Sequence, residues 1–217
     1  MLTVLGLACA FTAQGAELAR YSFTAGSRAS SDTDLNSIAS TFNDGPGLIG
    51  TVDNGVGNPA PSLRAGASDT TSSQAGALAA NDYFFFTIAP GSSFFAGGEI
   101  DLTSLTFDRA NTGGFTSTFF VRSSVDAFAT NLGGTSYTTS STTFTSATIT
   151  LTDPSFQDLT VPVEFRFYLY DDTGSGSNRT FIDNVVLNGT AIPEPATYML
   201  LGLGVLICAQ QYRRKKS

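Results

Sequence analysis

Any chemistry in this chain must come from carboxylates, hydroxyls and aromatic rings. The 217 residues contain no histidine, and the two cysteines, Cys9 and Cys208, each sit inside a terminal apolar run. The usual base near neutral pH, the usual metal ligand and any Ser-His-Asp or thiol arrangement are therefore absent from the body of the chain. No GxxxxGK[ST] or strand-borne GxGxxG offers a phosphate cradle. A pair of carboxylates could support glycoside hydrolysis if held about 5–10 Å apart. Glu99 and Glu164 are the strand-borne candidates, and solvated outward positions are the commoner use of such residues. For calcium, Asp32, Asp34 and Asn36 place oxygens at alternating positions but lack the glycine and distal glutamate of an EF-hand loop. Asp171, Asp172, Asn178 and Asp183 could converge at one end of a domain. Asp and Asn also build turns by bonding nearby backbone, and that reading is favoured at both places. No cofactor is expected, with structural calcium as the one open alternative. Sugar stacking would have to use Tyr21, Tyr83, Tyr137, Tyr168 and Tyr170, because the chain has no tryptophan. In Tyr83-Phe84-Phe85-Phe86, strand alternation sends one pair outward, where a loop or sheet edge is expected to cover it.

The elements that must position these residues read as β-strands. Short runs of β-branched and aromatic residues recur between Gly, Asn, Asp and Ser clusters. The runs are 19–23, 83–89, 99–107, 115–125, 142–151, 161–170 and 179–187. Alternation is clearest where Val163, Phe165, Phe167 and Leu169 interleave with Glu164, Arg166 and Tyr168. In Ile100, Leu102, Leu105 and Phe107 the phase slips at Ser104, which predicts a bulge. Leu35, Ile38 and Phe42 fall on one helical face, so 34–42 is expected to be a short helix, while 24–31 and 44–73 read as long loops. Seven or eight strands without a strong helical pattern imply an all-β fold, an antiparallel β-sandwich.

The two ends differ from this body. Residues 1–12 are apolar apart from two threonines, and Ala13-Gln14-Gly15 supplies small residues for a cleavage before Ala16, so 1–15 is expected to be a signal peptide. It lacks a basic residue before the apolar run. At the other end Pro193-Glu194-Pro195 precedes an apolar run from Tyr198 to Ala209 and then Arg213, Arg214, Lys215 and Lys216. Proline suits the first turn of a helix. A helix over 195–212 would be about 27 Å long, close to a hydrocarbon core of roughly 30 Å. The four cations form a basic stop that should remain cytoplasmic, leaving the body outside. All lysines lie in that stop. The rest of the chain holds seven arginines against eighteen acids, a net charge of −11, which repels phosphate backbones and excludes a nucleic-acid partner. The expected organisation is signal peptide 1–15, ectodomain 16–190 and sorting segment 191–217.

Pro193-Glu194-Pro195, the short apolar run and the basic end together resemble the PEP-CTERM sorting signal of bacterial envelope proteins. The ending Arg-Arg-Lys-Lys departs from the arginine-dominated form of that signal. The resemblance implies that an exosortase, an integral-membrane cysteine transpeptidase of exopolysaccharide-making species, sorts and processes the protein. It also implies membrane anchoring followed by residence at the cell surface or in the extracellular matrix. The stretches 99–107, 120–128 and 181–187 resemble the ectodomains that accompany this tail. The last, Phe181-Ile-Asp-Asn-Val-Val-Leu187, is similar to the closing strand of jelly-roll carbohydrate-binding modules, which implies a sandwich of jelly-roll type. Two functions follow: a non-enzymatic envelope or matrix protein, or a lectin-like module for exopolysaccharide.

Overall fold

A computed structural model describes residues 16–32, 34–65, 71–91, 98–173 and 178–192. The chain forms two six-stranded antiparallel sheets packed face to face. The first sheet holds β1 (Ala16–Tyr21), β4 (Gly50–Asp53), β5 (Ser62–Ala65), β7 (Glu99–Asn111), β10 (Thr145–Thr150) and β12 (Thr180–Ile192). Its order is β10-β7-β12-β5-β4, and β1 shares the edge of β12 with β5. The second sheet holds β2 (Ser37–Ala39), β3 (Asn43–Asp44), β6 (Tyr83–Pro90), β8 (Ser117–Ser123), β9 (Tyr137–Thr139) and β11 (Val163–Asp171). Its order is β2-β6-β11-β8-β9, with β3 also on β6. The two-sheet, all-β expectation holds.

The core is rich in phenylalanine because alternate positions of the long strands are aromatic. Phe84, Phe86, Phe119, Phe165 and Phe167 point inward from the second sheet and meet Phe107, Leu105 and Leu187 of the first. Phe107 stands edge-on to Phe167, with ring centres 5.4 Å apart. Tyr21 is also buried there and donates its hydroxyl proton to the Ser40 carbonyl at 2.6 Å.

The phase slip read at Ser104 is a bulge. Asn188 stands opposite Ser104 and Gly189 opposite Leu102, so Thr103 is the extra residue. Its carbonyl accepts from the Leu151 amide at 2.9 Å. Ile100, Leu102, Leu105 and Phe107 thereby all stay buried. Gly189 is required here, because a Cβ would lie 2.3 Å from the Asp101 carbonyl oxygen. A second bulge sits between Asp183 and Val186, and its extra residue Asn184 has φ +45°. Asn tolerates that left-handed geometry better than other residues with a Cβ.

Three local expectations fail. Residues 34–42 are not helical. Asp32 Oδ1 accepts from the Asp34 amide at 3.2 Å and Asp34 Oδ1 from the Asn36 amide at 2.7 Å, two side-chain turns that take the amides a helix would need. The chain then pairs as β2 with residues 88–90. Of the three residues expected on one helical face, Leu35 and Ile38 are 90% and 55% exposed while Phe42 is buried. Residues 44–73 are not all loop, since β4 and β5 lie within them. One helix was not expected: α1 (Gln74–Ala80), where Ser73 Oγ accepts from the Gly76 amide at 3.1 Å and Asn81 ends the helix with φ +60°. Strand limits also shift: β12 runs five residues past Leu187, and β8 ends at Ser123 in a 3-10 turn over Ser124–Asp126. The signal peptide, the 195–212 span, Pro193–Pro195 and the basic stop lie outside the described residues. No helix among the described residues is long and apolar enough to cross a membrane.

Candidate functional site

The structure does not bring the two candidate glutamates together on one sheet. Glu99 starts β7 in one sheet and Glu164 lies on β11 in the other. Glu164 is bound to the Arg166 Nε–H at 2.6 Å. The turn residues serve backbone, as expected of Asp and Asn. Asp171 Oδ1 accepts from the amide and hydroxyl of Thr173 at 2.9 Å each, and Asp172 Oδ1 accepts from the Thr116 amide at 3.0 Å. Asn178 joins this end by donating to Thr173 Oγ1 at 2.5 Å. Asp183 does not join it. Among the described residues no group of three or more His, Cys, Asp or Glu is arranged to hold a metal ion.

Asp183 belongs to a row across the outer face of the first sheet, Ser146–Asp108–Asp183, set by the registers of β10, β7 and β12. The loop between β4 and β5 covers it. Asp183 is fully buried; its Oδ2 accepts from the Asn58 amide and its Oδ1 from the Asn184 amide, both at 2.7 Å. Asp108 Oδ2 accepts from Asn58 Nδ2 at 3.1 Å and Asn184 Nδ2 at 3.0 Å, and its Oδ1 accepts from the Ser146 hydroxyl. Burial pushes the Asp183 carboxyl up to about 6; the two amide bonds oppose this and the charge of Asp108 adds to it. The sequence does hold a signal here, in Asp183-Asn184 with Asp108, but their pairing depends on a register that periodicity alone does not give.

The outer face of the second sheet carries the aromatic residues. Register places Tyr83, Tyr168 and Phe120 in one row and Phe85, Arg166 and Arg122 in the next. Tyr168 and Phe120 stack, with ring centres 5.1 Å apart and 8° between planes. This face is not an open platform. Ala77 of α1 is buried on it with Tyr83, Phe120 and Tyr168, and Leu78, Phe85 and Tyr170 pack alongside. Of the outward pair of the Tyr83–Phe86 run, Tyr83 is buried beneath α1, a helix where a loop or sheet edge was expected, and Phe85 is only partly covered. The Arg166 guanidinium lies 4.6 Å from the Tyr83 ring centre and 3.7 Å from that of Phe128. Phe128 is brought there by two successive left-handed residues, Ala127 with φ +55° and Phe128 with φ +61°. Arg122 secures the same loop, donating to Asn131 Oδ1 at 3.0 Å and to the Phe128 carbonyl at 2.7 Å. Phe85, Arg166, Glu164 and Tyr170 remain half-exposed.

Two hollows lie at strand ends. One, of about 280 Å³, is walled by Leu132, Leu151 and Phe156 with Asp126, Asp153 and Ser123. The buried Ser123 hydroxyl has no hydrogen-bond partner among the described residues. Asp126 is held below the usual carboxylate range: burial works against this, and the Thr130 hydroxyl and the Thr130 and Ala129 amides outweigh it. Asp153 is lowered by the hydroxyl and amide of Ser155. The other, of about 410 Å³, is bordered by Ala16, Glu17, Ser31, Asp32 and Asp34, with Glu17 bound to Arg20.

Comparison with known proteins separates body from end. The body is similar in outline to the CBM22-1 xylan-binding domain of Paenibacillus barcinonensis Xyn10C, at 11% identity over 82% of this chain and 97% of that one, with a TM-score of 0.46. The C-terminal family 22 carbohydrate-binding module of Clostridium thermocellum Xyn10B gives 12% identity, coverage of 80% and 94%, and a TM-score of 0.41. A family 29 carbohydrate-binding module gives 15%, coverage of 82% and 89%, and 0.39. No curated protein sequence matches the chain. At the other end, residues 191–215 match the PEP-CTERM protein-sorting motif.

Proposed function

We propose that this is an exported, non-enzymatic β-sandwich protein of the cell envelope, held at a membrane by its C-terminal segment and then delivered to the surface or matrix. The sorting motif at 191–215 carries this reading. The motif begins inside β12, at Ala191 and Ile192, which pair with Ile100 and Glu99. The folded body and the sorting segment therefore share a strand end with no spacer between them. In this reading residues 1–15 are removed on export, 195–212 span the membrane, Arg213–Lys216 stop transfer, and an exosortase-like transpeptidase acts at Pro193–Pro195. Cells carrying the chain without Pro193–Pro195 should accumulate it unprocessed in the membrane fraction. Unchanged size and localisation would overturn the sorting role.

A second reading is that the body also binds exopolysaccharide. The half-exposed Phe85, opposite Arg166 in the ladder, and the half-exposed Tyr170 further along β11 support it, as rings and donors of the kind that sugars use. Retention on immobilised polysaccharide, measured with and without calcium, decides it. No retention at millimolar sugar leaves the matrix role alone.

A further inference from the structure

Both ends of the body lie at one end of the sandwich. Ala16 pairs with Gly189, three residues before the last described residue, Ile192. A continuous set of contacts runs from Ile192 to the tip of the second sheet. Gly98 lies beside the Ile192 carbonyl, with 3.3 Å from its Cβ position to that oxygen and 3.7 Å to Pro90 Cβ. The Gly91 amide donates to the Asn36 carbonyl at 2.6 Å, and Ser37 pairs with Pro90. Leu35 and Ile38 flank that contact. Val161 is at the same end, two residues before Val163, which pairs with Ile88. These three aliphatic side chains are 90%, 55% and 63% exposed. With sheets about 10 Å and strands about 4.8 Å apart, the patch lies within about 15 Å of the exit.

We infer that Leu35, Ile38 and Val161 form a membrane-contacting tip that rests in the lipid interface while the chain is anchored. This rests on the reading of 195–212 as the anchor. The apolar run begins at Tyr198, six residues past Ile192, a reach of at most about 20 Å. A tether that short holds this end of the body against the bilayer, and the interface takes up apolar side chains to a depth of about 5–10 Å. Scattered exposed aliphatics are ordinary on any surface; here three gather at the end the tether draws down. The carboxylates Asp32, Asp34 and Glu17 flank the tip, with Glu17 compensated by Arg20. The surface it fits is accordingly zwitterionic, because anionic headgroups would repel those acids.

The test uses the mature chain, 16–217, with Cys208→Ser, which leaves it free of cysteine. An environment-sensitive label is placed at Leu35→Cys, at Val161→Cys, or at Ile49→Cys as the control. Ile49 is also exposed, at 65%, but it adjoins Gly50, which packs on Phe84 near the opposite end of β6. In phosphatidylcholine vesicles containing brominated lipid, the labels at 35 and 161 should be quenched several-fold more than the label at 49. Adding anionic lipid should reduce that difference. Co-flotation with vesicles but equal quenching at the three positions overturns the tip and leaves the anchor standing. Failure to co-float overturns the anchor and the tip together. A label at 35 that is already shielded without vesicles points to a second copy of the chain and overturns the lipid assignment.

Discussion

Replacing Asp183 with asparagine should remove a pH dependence that the native fold carries on one residue. The carboxyl is fully buried, faces Asp108 across the strand pair, and titrates at about 6 against an ordinary 3.8. Because its native value is raised, the folded state binds the extra proton. The stabilisation is fully present below about 3.8 and is lost as pH rises through about 6. A shift of about two units corresponds to about 3 kcal/mol across that window. Asp183→Asn has no such titration, but its amide nitrogen must face one of two backbone donors, from Asn58 or Asn184. That mismatch costs about 1–3 kcal/mol at every pH. The absolute stability of the variant is therefore a poor readout, and its difference from the native protein is a good one. Urea unfolding of both proteins from pH 4 to pH 8 should show the variant gaining about 2–2.5 kcal/mol on the native chain, most of it between pH 4 and pH 6.5. Glu17, Asp126 and Asp153 are shifted the other way and shape both curves alike, so they cancel. A flat difference, or one that falls as pH rises, would refute the buried-acid account.

Arg166→Ala should cost about 1–2 kcal/mol by urea unfolding, since it removes the guanidinium held between Tyr83 and Phe128; Arg166→Lys should recover less than half of that loss, because an ammonium cannot stack. Gly189→Ala should cost about 3 kcal/mol, read from the thermal midpoint, because the new Cβ would meet the Asp101 carbonyl and only backbone movement relieves it. A loss under about 0.5 kcal/mol would mean that the bulge at Thr103 is loose.

The parts legible in the sequence are those governed by short-range rules. Period-two alternation located β7 and β11, runs of β-branched and aromatic residues located β6 and β12, and the interruption at Ser104 located the bulge within one residue, because a single insertion inverts every later side chain. The Asp32-Thr-Asp34-Leu-Asn36 stretch shows the limit. Its aliphatic spacing fits a helix as well as it fits β2, and side-chain turns decided against the helix. The helix α1 was legible in principle: Ser73 before Gln-Ala-Gly-Ala-Leu-Ala-Ala is a cap before good helix formers. The loop read over 44–73 takes in that cap as one more serine of a Gly- and Ser-rich stretch. What no local rule supplies is the long-range pairing. Asn58 reaches Asp183 across 125 positions, and Arg166 finds Phe128 through a loop whose course depends on two left-handed residues. The candidate site was therefore legible as residue types and hidden as an arrangement.

The strand that leaves the body is also the one most deeply built into it, and this sets where the exit can open. β12 pairs with β7 along one edge through to Ile192, while on the other edge β5 covers 181–182 and β1 covers 185–189. Past Gly189 only β7 remains among the described residues, and Thr190, Ala191 and Ile192 are half-exposed where Val185 to Leu187 are buried. In an antiparallel ladder the bonds lie across the strands, so tension along β12 loads many of them together rather than one after another. Fraying from the exit should then release 190–192 readily and halt where β1 joins. Freeing those three residues would extend the accessible tether by about 10 Å, room for an enzyme to approach Pro193 without unfolding the sandwich. Amide hydrogen exchange on the chain checks this: protection should rise sharply between Thr190 and Gly189 and stay high to Val185. Uniform protection through Ile192, or exchange as fast at Leu187 as at Ala191, would place the opening elsewhere.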